Sequence, residues 1–231
     1  AYAAGYALAQ RTDIAPKLIS TVDARITPYF PRLKGKIRAD KHLMVSMIPA
    51  HQKTAFVDLV QGAGGTVDLM LSDGERAETG IPHVYDFSYN HTTLQVLKAD
   101  RSATYQQIGC PVPPDPEAVA SLRTKLTDDV WNHHEFAKVA GEIVSFDLPI
   151  IWYRDADQLA QINATFADNG FPVYDAHTWQ VEGGGLKNAD YRHLAWKKRL
   201  DPKGLLNSAK SMAWDEVKHL SPDEIEAHGA P

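Results

Sequence analysis

Two stretches of this chain share one layout, and that layout limits its fold more than any other feature. The first, HLMVSMIPAHQKTAFVDLVQGAGGTVDLMLS (42–72), opens on a β-branched and Met-rich run. It continues with Phe56, Leu59 and Val60 at helical spacing, breaks at Gly62, Gly64 and Gly65, and returns in the alternating run TVDLML. The second passes from EIVSFDLPIIWY (142–153) through DADQLAQINATFADNG to FPVYDAHTWQV (171–181). Its helix has Asp155 or Asp157 as a start signal, Leu159, Ile162 and Phe166 on one face, and Asn169-Gly170 as a stop. Both read strand, helix, strand. The expectation is an α+β fold: an antiparallel-rich sheet built from two β-α-β units, ferredoxin-like, with helices on one face.

Between these units, HVYDFSYNHTTLQVLKAD and ATYQQIGC (83–110) read as further strands. The proline-dense CPVPPDPEA then excludes regular structure and leads into PEAVASLRTKLTDDVWNHH, a helix with Val119, Leu122, Leu126 and Val130 as its apolar stripe. The phrase VYDFSYNHTTLQVLK (84–98) is echoed by VYDAHTWQVEGGGLK (173–187), so a histidine sits twice in similar local text. Aligning the two β-α-β units does not superpose these phrases. Two strands ending at one cleft account for the echo better than an inherited repeat.

Composition narrows the function classes. A net charge of −5 and a pI near 6.0 give no electrostatic footprint for nucleic acid. No apolar run reaches the ~18–20 residues that span a bilayer. The single cysteine, Cys110, makes no internal disulfide and fits a reducing compartment, with no base in reach to activate it. These features point to a cytoplasmic chain with neither nucleic acid nor membrane as partner, and leave homo-oligomerisation open. The first residues, AYAAGYALAQRTD, lack a basic lead and read as the continuation of an upstream segment.

Several side chains are candidates for chemistry. Strand alternation through 173–181 places Asp175, His177 and Trp179 on one face, which is poor core and good cleft material. Alternation likewise groups His91 with Tyr89 and Thr93, where an ordinary strand-surface histidine is the simpler reading. Tyr85, Tyr89 and Tyr174 offer phenolic hydrogen bonds or aromatic walls. The run Glu182-Gly183-Gly184-Gly185 lacks the glycine spacing of a phosphate loop but permits close backbone approach to a ring system. His133-His134-Glu135 reads as a solvated helix end, because adjacent helical histidines point ~100° apart and cannot share one ion.

NADYRHLAWKKRLDPKGLLNSAK (188–210) carries a resemblance. A basic helix followed by Asp201, Pro202, Gly204, Leu205, Leu206, Asn207 and Lys210 resembles the closing signature of FAD-linked oxidases of the vanillyl-alcohol oxidase (PCMH-type) family. That signature has Pro-Gly where this chain has Ser208-Ala209. VYDAHTWQVEGGG is similar to the family's penultimate strand and Gly-rich turn, and YNHTTL to a cap-domain strand. No pyrophosphate loop is evident, so the resemblance implies the cap, or substrate-binding, half alone. It implies an FAD-dependent oxidoreductase that removes hydride from a carbon bearing a hydroxyl or amine. The flavin would be held mainly by another FAD-binding domain or chain.

In that reading residues 1–40 connect to the FAD-binding part, 41–187 form the cap domain, and 188–231 pack towards the flavin domain. His177 is the implied catalytic base. His91, Tyr89, Tyr174 and Trp179 would contact a small-molecule substrate, and Glu182, Gly183, Asn207 and Lys210 the cofactor; no metal is implied. Imidazole titrates in the range that such a base needs. Two rivals stand beside it: a flavin-independent hydrolase or lyase using His177 with Asp175 or Glu182, and a non-catalytic ferredoxin-like binding module.

Overall fold

The computed structural model describes residues 1–185 and 188–229. Leu186 and Lys187, which end the second of the two echoed phrases, lie outside the described residues. The chain divides into two compact units, Ala1–Pro172 and Val173–Pro231. The boundary therefore falls inside the stretch read as a single cap domain over 41–187.

The first unit is α+β with antiparallel pairing, as the periodicity leads one to expect. Its strands are β1 (Leu18–Val22), β2 (Leu43–Met47), β3 (Ala103–Tyr105), β4 (Gln107–Gly109), β5 (Val130–Trp131), β6 (His133–Val139), β7 (Glu142–Asp147) and β8 (Ile150–Trp152). Its helices are α1 (Tyr2–Ala9), α2 (Lys53–Gly62), α3 (Asp73–Thr79), α4 (Asn90–Ala99), α5 (Pro116–Lys125) and α6 (Ala156–Asp168). One sheet runs β2-β1-β6-β7-β4 and a smaller one β3-β8-β5. The second unit holds β9 (Val173–Tyr174), α7 (Tyr191–Leu200), α8 (Met212–Val217) and α9 (Pro222–His228).

Register explains why β1 is buried along its whole length. Ser20 faces Glu135 and Thr21 faces His134 across the β1–β6 pair. Leu18, Ser20 and Val22 thus point to one side with His133 and Glu135, while Ile19 and Thr21 point to the other with His134 and Phe136. On the first side Leu18, Val22 and Val45 join Phe30, Phe87 and Val96 in one apolar cluster. On the second, Ile19 and Phe136 pack with Leu8 of α1 and with Phe56 and Val60 of α2. Both faces of the sheet are covered, rather than one. The second unit has its own small core, with Leu194, Trp214, Val217 and Ile225 buried together.

Helix ends follow local chemistry. Asp155 accepts the Gln158 N–H at 2.7 Å and starts α6, which buries Ile162 and Phe166 and stops before Gly170. Asp115 caps α5 with Pro116 in its first turn, and Asp190 caps α7.

Four stretches depart from the periodicity. TVDLML (66–71) forms no ladder, so the first β-α-β unit lacks its returning strand. Its Asp68 carboxylate is instead bound by the Arg38 backbone N–H at 2.9 Å and guanidinium at 2.8 Å. Residues 83–98 are a 3-10 turn (Val84–Phe87) and helix α4, not a strand. Thr92 and Val96, one turn apart and both buried, mark the helical face. The helix read through 134 ends at Lys125, and 130–139 become strands. FPVYDAHTWQV keeps only Val173–Tyr174 as strand.

Candidate functional site

The signature at 201–210 folds as a turn built on one carboxylate. Asp201 ends α7, and its two oxygens accept the N–H groups of Leu205 at 2.9 Å and Leu206 at 2.8 Å. Lys197, one helical turn earlier, donates to the same carboxylate at 2.8 Å. That lysine, with the two N–H groups, holds the Asp201 carboxyl down to about 2. Gly204 has φ +65°, and a Cβ there would meet the Trp214 indole nitrogen at 2.7 Å. Asn207 and Ala209 also take left-handed backbone, with φ 50° and 59°. Alanine at φ 59° is strained, since its Cβ crowds the next carbonyl. Ala209 is the position where the resemblance has glycine.

Around this turn Leu200, Leu205 and Leu206 are 78%, 74% and 66% exposed. Three leucines are therefore exposed within seven residues of the chain.

The residues singled out at 173–185 lie in a loop. His177 is exposed, and its backbone N–H donates to Asp175 Oδ1 at 2.8 Å, an Asx turn rather than a mid-strand geometry. The shared strand face expected for Asp175, His177 and Trp179 is therefore not formed. Trp179 is 62% exposed, with the Lys210 ammonium 5.7 Å from its ring centre. Tyr174 is half-buried in β9. Glu182 holds the start of α8, whose cap is Ser211: Ser211 Oγ and the Met212 N–H, the latter at 3.0 Å, both donate to its carboxylate. Burial raises the Glu182 carboxyl, but those donors outweigh it and the net shift is down. The glycine run approaches the chain's own 173–178 segment. A Cβ on Gly183 would meet Thr178 Oγ1 at 2.8 Å, and one on Gly184 the Thr178 methyl at 2.9 Å.

His91 and Tyr89 fall in the first unit, and His177 in the second. His91 sits in the first turn of α4, exposed, its Nδ1 2.7 Å from the Tyr85 carbonyl. Tyr89, just before α4, has φ 52° and is 45% exposed. Its backbone N–H donates to the buried Glu135 carboxylate.

That contact leads to the residues which the sequence reading placed on a solvated helix end. His133, His134 and Glu135 are 0%, 7% and 3% exposed, and open strand β6. Facing α4, Ser20 Oγ lies 2.9 Å from His133 Nε2 and donates to Glu135 Oε1 at 2.8 Å. His133 Nε2 is also 2.7 Å from Glu135 Oε1. Serine, imidazole and carboxylate thus meet, but at a single ring nitrogen. In a nucleophilic relay the carboxylate holds Nδ1 while Nε2 faces the hydroxyl. Here His133 Nδ1 has no partner, so the trio is a core network without that relay geometry.

Facing α1, a second set surrounds Asp147. The His133 N–H donates to Asp147 Oδ1 at 2.9 Å and the Asn132 amide to Oδ2. Burial pushes the Asp147 carboxyl up to about 7 despite those donors. His134, with Nε2 3.8 Å from Asp147 Oδ2, is pushed down to about 3, chiefly by burial. Near neutral pH this imidazole is uncharged and forms no ion pair. Tyr2 stacks edge-on against it at 4.7 Å, and its hydroxyl bonds Ser145 Oγ at 2.7 Å. Burial raises the Tyr2 phenol and pushes the nearby Cys110 thiol to about 12, so this cysteine is inert, as expected.

A cleft of about 260 Å³ opens here, with Thr21, Asn132 and His134 on the sheet side and Pro116, Val119 and Ala120 of α5 opposite. Arg123, His42 and Asp23 also line it. Asp23 Oδ2 accepts from Arg123 at 2.8 Å and from Arg25 at 2.9 Å. The sequence signal for this cleft was the polar text NHHE beside an apolar strand pattern, and only pairing with Ser20 and Thr21 gives it meaning.

No protein-family model matches the chain, and no curated protein matches it.

Proposed function

We propose that this chain is the substrate-binding portion of an FAD-dependent oxidoreductase that oxidises a carbon bearing a hydroxyl or an amine. One observation carries the reading. The D-P-x-G-L-L-N-x-x-K text is a single Asp201-centred turn, left-handed both at its glycine and at Ala209, where the resemblance has glycine. The exposed leucines of that turn suit a surface covered by a flavin-binding domain. In this reading a bound flavin would supply the hydride acceptor, and His177, in a solvent-accessible loop tethered by Asp175, would take the hydroxyl proton. Asn207 and Lys210 would serve the flavin-binding side, and Tyr174 and Trp179 the substrate side. Glu182 and Gly183 serve the cofactor indirectly, by fixing α8 and the loop.

The test is flavin titration of the purified chain, alone and joined to the polypeptide encoded immediately upstream. The chain alone should bind FAD weakly, and the joined form should be yellow and bleach anaerobically with an alcohol or amine substrate. Tight stoichiometric FAD on this chain alone would refute the division of labour. A colourless joined form would refute the flavin reading itself.

A further inference from the structure

We infer that the cleft between α1, α5 and the β1–β6 strands binds a small monocarboxylate that carries a second hydrogen-bonding oxygen, such as a short 2-oxo or 2-hydroxy acid. The inference concerns the first unit and uses nothing from the 173–210 signature, so it does not rest on the flavin reading.

Three observations support it. Thr21 lines the cleft, is 3% exposed, and its hydroxyl has no hydrogen-bond partner. A buried hydroxyl left without a partner costs stability, and a ligand oxygen would recover that cost. Beside it stands His134, buried and kept uncharged, which can donate or accept one hydrogen bond without adding charge. At the rim Arg123 is 45% exposed in its side chain, and spends only Nη2 on Asp23 and Nη1 on His42. Guanidinium has five N–H donors, so several remain for a carboxylate.

Charge and shape select the ligand. Arg25 and Arg123 share the single carboxylate of Asp23, and Asp128, also near Arg25, is fully exposed at 3.6 Å and screened. Because Asp23 is shared in this way, Arg123 at the rim keeps part of its charge for an anionic ligand. A dianion such as phosphate would bring its second charge against Asp23. Pro116, Val119 and Ala120 give the opposite wall an apolar surface for a short carbon chain. The volume of about 260 Å³ accommodates a guest of this size with room for water beside it.

The test is binding of pyruvate, lactate and acetate to the full chain, followed by calorimetry and by NMR shifts of the His134 ring. Pyruvate and lactate should bind saturably and more tightly than acetate, with phosphate and sulfate failing to compete at equal ionic strength. Arg123→Gln should weaken binding about tenfold or more, the worth of a charge-assisted hydrogen bond. Thr21→Val, which removes an unpartnered hydroxyl and keeps the shape, should weaken it about threefold to tenfold without unfolding the chain. Ala120→Leu, which fills the cleft from the exposed side, should abolish it. Absence of saturable carboxylate binding overturns the inference. So does competition by phosphate, or native affinity in folded Thr21→Val and Ala120→Leu.

Discussion

Replacing Asp147 by Asn exposes two opposed titrations at the centre of the sheet. Asp147 is 1% exposed, and burial moves its carboxyl from 3.8 to about 7. An acid raised in the folded state contributes its stability fully below its unfolded value. That contribution is lost as pH climbs through the folded value, here between 3.8 and about 7. At ~1.4 kcal/mol per pH unit the loss is ~4 kcal/mol. His134 has the reverse sign. Burial lowers it from 6.5 to about 3, so its contribution is complete above 6.5 and is lost as pH falls towards about 3. That loss is ~5 kcal/mol by the same conversion. Between these limits the two slopes nearly cancel, and the native chain should show little pH dependence from this pair. Asp147→Asn removes one of them. Asn132 must turn its amide so that its oxygen faces the new Asn, a fixed cost at every pH. The difference between variant and native should therefore shift in favour of the variant by ~3 kcal/mol from about pH 4.5 to about pH 7.5. Urea unfolding followed by tryptophan fluorescence at several pH values measures it. A difference that stays constant across that range would refute the reasoning, because it would give Asp147 an ordinary carboxyl.

Two further substitutions test packing and backbone. Gly5→Ala on α1 should lower the melting temperature, since its Cβ would sit 2.8 Å from the Phe136 ring and 2.9 Å from the Thr21 methyl. Overpacking of that kind costs ~1–3 kcal/mol, which exceeds the gain of ~1 kcal/mol from helix propensity. Ala209→Gly should act the other way. Relief of left-handed alanine at φ 59° is worth ~1 kcal/mol, and slower amide exchange through 201–210 reports it, unless the turn is not held in this form.

What the sequence disclosed and what it hid follow one physical line. Helix α6 was legible because cap, stripe and stop agree, and α2 from its stripe and glycine stop without a cap. Asp155, Ile162, Phe166 and Gly170 each mark α6, and none depends on a distant residue. Alternating text was less informative, because an isolated run says nothing about its ladder partner. TVDLML has the pattern but gives its central carboxylate to Arg38. YNHTTLQVLK alternates as well as a strand does, yet buries Thr92, Thr93 and Val96 on one helical side. VYDAHTWQV ends its pairing at Tyr174, since Asp175 turns back to bind the His177 N–H.

The hardest residues to read were those now best supported as a binding cleft. Polarity in NHHE argued for solvent because an isolated histidine or glutamate is seldom buried. It is the pairing of β6 with β1 and β7 that reverses the argument. Ser20 opposes Glu135, Thr21 opposes His134, and His134 opposes Asp147, so each polar group meets another in the interior. None of those partners lies within ten residues of NHHE in sequence, and periodicity within one element cannot see them. Burial without full satisfaction then separates the two faces. On the α4 side His133 Nδ1 and Glu135 Oε2 are orphans, enclosed on residues with 0% and 3% exposure, where no ligand can reach them. On the α1 side one orphan, Thr21 Oγ1, stands on the wall of an open cleft that has a guanidinium at its rim. Each such orphan costs the fold a hydrogen bond, but Thr21 Oγ1 stands where a small carboxylate could restore it.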